Sequence, residues 1–192
     1  MTDFFRKYIE WLLILQVIFS MVLIYLQVEV GYVLNMLTTW LLAFFYLLSS
    51  IRVIRDKRIE RLLKLLYFFG LTSYALGWMG MMLKINFWPG SNEILILGCS
   101  GTLVVLIFYF LRFQKEDNSF NIQPLLIRGI PFILLFAYFA LMSPTNTYGN
   151  FGRFKDDVEF SQAFIQAFEN PEDPVAQEKL DHLKRLKENE DQ

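Results

Sequence analysis

Five apolar stretches, each near the length needed to cross a hydrocarbon core, follow one another through residues 1–143 of this chain. A bilayer core ~30 Å thick takes about 20 residues of helix. No water is available there to satisfy a stray backbone N–H or C=O, so a lone crossing segment has to be helical. The sequence therefore predicts an all-α fold, a polytopic helical membrane protein. Its spans are expected at about 9–28, 32–50, 64–83, 94–112 and 124–143, and residues 144–192 form a soluble helical tail. Composition agrees, since 55% hydrophobic and 17% aromatic residues in 192 are too apolar for a soluble domain of that size.

The first apolar stretch superficially resembles a signal peptide, but no small-x-small cleavage site follows and a second stretch comes at once. It reads as an uncleaved span with Glu10 in its opening turn. The fifth carries Arg128 and Pro131 in its first two turns, where proline is tolerated and an arginine can reach the headgroups; the alternative for this segment is a re-entrant or interfacial one.

Lysine and arginine set the orientation. Arg6 and Lys7 precede the first span, six basic residues fill 51–64, and Arg112, Lys115 and Arg128 flank the next such loop. The two alternate loops offer only Lys84. The N-terminus is thus expected in the cytoplasm of a bacterial cell, the spans in its inner membrane, and the tail in the periplasm. The run "RVIRDKRIERLLK" is a topology determinant that anionic headgroups also attract. No stacking platform or reading fold accompanies it, so nucleic acid is not an expected partner.

The stretch "GWMGMMLKINFWPGSNEILILG" shapes the architecture most. Gly70, Ser73, Gly77, Gly80 and Lys84 recur at intervals of 3, 4, 3 and 4, which places them on one helix face. Small residues let membrane helices approach closely, because association in lipid depends on packing. The next span offers a matching face through Gly98, Gly101 or Thr102, and Val105. Pro89 and Gly90 reverse the chain between them, and Trp88 belongs at the membrane–water interface. Lys84 is expected to emerge there and reach water, phosphate or Glu93. The sharper alternative is an ion or proton site built on Lys84 and Glu93.

These residues resemble the Lys-x-x-His-Trp-Pro-Gly hairpin of GldL-type proteins, the inner-membrane motor subunits of gliding motility and type 9 secretion in Bacteroidota. The resemblance covers about 70–112 and centres on Lys84, Trp88, Pro89, Gly90 and Gly98. It implies a similar hairpin, a bacterial origin and an inner-membrane setting. Phe87 stands where that family has histidine, and no Asp or Glu lies between Ile94 and Leu111. The motor activity is therefore not carried over.

The tail holds six basic and eleven acidic residues, a net charge of −5. "SPTNTYGNFG" reads as an exposed linker. Asp156 or Asp157 can cap a helix in which Phe160, Phe164 and Phe168 recur every fourth residue, an aromatic stripe for interaction. "PEDP" ends it and starts a second helix with Leu180, Leu183 and Leu186, giving a helical hairpin. Cys99 is the only cysteine and His182 the only histidine, too few for a zinc site of ordinary composition. Phosphate-cradling loops and catalytic motifs are missing, so no cofactor is expected. The expected function is a non-enzymatic structural or accessory subunit of a cell-envelope complex. Its partners would be the bilayer and other membrane or periplasmic proteins, or further copies of itself. The alternative is a component of a small-solute or ion transporter or channel.

Overall fold

The computed structural model describes residues 3–55, 57, 61–88, 90–113 and 123–190. Among them all regular structure is helical: α1 (Asp3–Tyr25), α2 (Val30–Arg55), α3 (Arg61–Ile85), α4 (Ser91–Phe113), α5 (Gln123–Leu141), α6 (Pro144–Phe151), α7 (Val158–Glu169) and α8 (Pro174–Glu190). Four helices, α1 to α4, are long and apolar enough to cross a membrane. A fifth joins them if α5 and α6, bent by 106° at a short break, count as one span. Leu15, Phe19, Leu37, Leu41, Ile107 and many like them face outward, the pattern of helices solvated by lipid rather than water.

Consecutive helices pack in chain order, α1 on α2, α2 on α3 and α3 on α4, while α5 closes against α3 and α4. The closest approach is the expected one between α3 and α4. A Cβ on Gly98 would lie 2.6 Å from Gly77 Cα, and one on Gly80 would lie 2.7 Å from the Leu95 nitrogen. Ser73 faces Gly101, and Gly70 is buried. Gly77 also makes room for α5, because a Cβ there would strike the Phe136 ring. The heptad of small residues thus serves two neighbours.

A cluster of rings fills the centre. Tyr46 of α2, Tyr74 and Trp78 of α3, and Phe132 and Phe136 of α5 are all buried. Edge-to-face contacts link them, with centroids at 5.0 Å for Tyr74–Phe132 and 5.4 Å for Trp78–Phe132. That geometry suits the ring quadrupoles. Where lipid is as apolar as leucine, such packing matters more than burial from water. Between α1 and α2, Asn35 Nδ2 donates to Ser20 Oγ at 3.0 Å, a polar link between two apolar helices.

The expected linker after α5 is a helix. Ser143 caps α6, its side chain accepting from the Asn146 nitrogen, and Pro144 occupies the first position. Tyr148 buries itself against the rest of the molecule, and this tertiary contact sustains a segment of poor helix formers. Asp157, not Asp156, caps α7. Helices α7 and α8 pack together, with Gln177 Nε2 donating to Ala167 O at 3.0 Å and Lys187 paired to Asp157 at 3.1 Å. Leu180 is buried between them, whereas Leu186 is exposed.

Candidate functional site

The α1–α2 and α3–α4 turns lie at the same end of the bundle and are built alike. In the first, Val28 N–H donates to Leu23 O and Gln27 N–H to Ile24 O; in the second, Trp88 N–H donates to Leu83 O and Phe87 N–H to Lys84 O. These paired bonds form a Schellman cap, which needs a left-handed residue usually supplied by glycine. Here the residues are Gln27 at φ 60° and Phe87 at φ 57°. A bulky side chain there costs roughly 1–3 kcal/mol of backbone strain, which the surroundings have to offset.

They do so by holding α6 to α8. Gln27 Nε2 donates to Asp156 Oδ2 at 2.7 Å. Around it, Glu29 pairs with Arg153, Lys155 donates to Tyr25 O at 2.7 Å, and Tyr32 donates to Phe151 O at 2.5 Å. The Phe87 ring meets Phe164 at 5.1 Å, Tyr148 at 5.3 Å and Phe168 at 6.4 Å. The expected stripe of the tail therefore docks on the turn. Phe160 is fully buried, Phe164 partly so, and Phe168 sits at the exposed rim.

The hairpin's polar residues arrange themselves differently from expectation. Lys84 does not emerge into water; it is 6% exposed. Its Nζ donates to Asn92 Oδ1 at 2.7 Å and to Ala140 O at 3.3 Å, so the end of α5 covers it. Glu93 points outward in the first turn of α4, where a carboxylate complements the helix dipole. The neutral amide one residue earlier does the work expected of Glu93, because its position on α4 faces α3. Trp88 is exposed beside the turn. Gly90 takes φ +78° in open space, and Pro89 lies outside the described residues.

At the opposite end lies a charge pair that local sequence patterns did not disclose. Glu10 of α1 is 2% exposed. Arg128 Nη1 of α5 approaches Glu10 Oε2 at 2.6 Å and Oε1 at 2.8 Å, and Tyr46 of α2 donates to Oε1 at 2.9 Å. Arg128 therefore ties α5 to α1. Such a buried pair persists because breaking it strands a charge in a medium of low dielectric. Cys99 is half-buried, its thiol 3.9 Å from Ile133 O, and His182 is exposed on α8. Among the described residues no group of three metal-ligating side chains converges.

No family model, curated protein or solved structure matches the chain. The geometry carries the functional reading by itself.

Proposed function

We propose that this chain is a non-enzymatic structural or accessory subunit of a bacterial inner-membrane complex, presenting a rigid helical platform on the periplasmic side. The observation that carries this reading is the clamp. Two strained helix caps at one end of the bundle both spend their side chains on holding α6 to α8, one by hydrogen bond and one by aromatic packing. A merely tethered tail would need neither. Helix α8 keeps Glu178, Lys179, Asp181, His182 and Arg185 exposed, a charged face available to a partner protein. The basic loops lie at the other end of the helices, which supports a cytoplasmic N-terminus and a soluble, periplasmic tail. The likeness of the α3–α4 hairpin to GldL-type subunits fits an envelope complex without implying a motor.

A second reading, an ion-coupled transporter component, draws on the Glu10–Arg128–Tyr46 cluster, since ionisable groups within spans are functional by default. Against it, the bundle centre beyond that cluster is filled with aromatic rings. Purification from native membranes in mild detergent separates the two. A subunit co-purifies stoichiometrically with a partner that Phe164→Asp releases while the protein stays in the membrane. A lone protomer that moves a solute into liposomes, in a manner abolished by Glu10→Gln, would overturn the subunit reading in favour of the transporter.

A further inference from the structure

Helices α1 and α5 are joined at the basic end by the Glu10–Arg128 pair and stand apart above it. The space between them is a lateral groove of ≈ 920 Å³. Ile14 and Ile18 form one wall, Phe132 and Leu135 the other, and Phe151 closes the far end. Trp78 of α3 also lines it.

Two groups here have donors without an acceptor among the described residues. Trp78 is 1% exposed, yet its indole N–H has no acceptor among the described residues. Arg128 commits Nη1 to Glu10, while its Nε and Nη2 hydrogens have none among the same residues. A guanidinium offers five donors in a fixed fork suited to phosphate. The groove therefore presents a phosphate-matching cation at headgroup level, at one end of an otherwise apolar wall, with the Trp78 N–H buried beside it.

A spanning protein helix suits this space poorly, because its carbonyls are paired internally and it brings few free acceptors for those hydrogens. A phospholipid brings ester carbonyls just below its phosphate and a slim chain below those. We infer that the α1–α5 groove is a binding site for an anionic phospholipid of the leaflet on the basic-loop side. Its phosphate meets Arg128, and one chain fills the groove beside Trp78. This goes beyond the subunit reading and holds whether or not a partner protein exists.

The test is fluorescence quenching in vesicles. Trp11, Trp40 and Trp88 are replaced by Phe in the full chain so that Trp78 reports alone. The protein is reconstituted in phosphatidylcholine containing increasing fractions of chain-brominated phosphatidylglycerol or chain-brominated phosphatidylcholine. Half-quenching is expected at an about fivefold lower mole fraction of the anionic lipid, the preference one cation near the surface supports. Glu10→Gln keeps an acceptor for Tyr46 but frees Arg128, and should raise that ratio. Arg128→Gln should bring it to one, and Ile18→Phe, which fills the groove, should weaken quenching by both lipids. Equal quenching by both in the parent would overturn the proposal. So would a ratio that Glu10→Gln leaves unchanged, or absence of quenching by either lipid, as when a second protein occupies the groove.

Discussion

Glu10 and Arg128, 118 residues apart in the chain, meet at 2.6 Å in the wall between α1 and α5, and Tyr46 donates to the same carboxylate. Because the carboxylate is buried, the two single deletions and the double deletion should behave very differently. Glu10→Ala and Arg128→Ala are each expected to cost ~3–5 kcal/mol, since each strands the other charge. Replacing both by Met should recover most of that loss. A double-mutant cycle on thermal unfolding in detergent measures it. Additive losses would mean that the two groups are independently solvated.

The α3–α4 contact makes a prediction graded by what each glycine faces. Gly98→Ala places a methyl against the Gly77 backbone, which cannot rotate away, and should destabilise by ~1–3 kcal/mol or more. Gly80→Ala meets the Leu95 backbone and should behave alike. Gly149→Ala meets nothing within 4 Å and should be nearly neutral. Thermal stability of the three variants in one detergent checks the order. A Gly98→Ala protein as stable as the parent would contradict the close crossing.

Phe87 should behave as two residues in one. Phe87→Gly relieves the left-handed strain but removes three aromatic contacts, each worth ~0.5–1.5 kcal/mol beyond its burial. The net effect should fall on the tail alone: faster proteolysis within 152–190, with unchanged melting of the bundle. Protection of the tail equal to that of the parent would show that Phe87 does not hold it.

The cap of α7 predicts a pH response. The Phe160 N–H donates to the Asp157 carboxylate, and Lys187 lies beside it. Both hold its carboxyl below the ordinary value of 3.8, the backbone bond contributing most. A depressed folded value adds stability that is fully present above the unfolded value and lost as pH falls through the folded one. Hydrogen exchange in α7 should therefore accelerate only below about pH 4. Asp157→Asn, which keeps an acceptor for the cap, should flatten that response. Acceleration already at pH 5 to 6 would point to another group.

How much of this was legible depended on how local the cause was. The five apolar segments and the small-residue face of α3 repeat within a few turns, so spacing alone disclosed them. Lys84 was placed correctly along the chain but not in its environment, because the end of α5 covers it from 56 residues away. The Glu10–Arg128 pair stayed hidden for the same reason: each residue, read in its own segment, resembles an end-of-helix charge. Helix α6 stayed hidden because its sequence disfavours helix, and contacts with distant segments, Tyr148 against Phe87 and Phe151 against Phe139, sustain that conformation. The docking role of Phe87 follows from a positive φ that no propensity would assign to phenylalanine.

The account rests on α6 to α8 forming a layer across the membrane from the basic loop, and cysteine labelling in intact cells tests this directly. In a Cys99→Ser background, single cysteines replace Gln162 on the exposed face of α7 and Lys57 in the basic loop. After the outer membrane is permeabilised, a membrane-impermeant maleimide should label the cysteine at 162 and spare the one at 57 until the inner membrane is broken. Labelling at 57 with protection at 162 would reverse the orientation. Labelling of both sites in intact cells would contradict a layer separated from the basic loop by the bilayer.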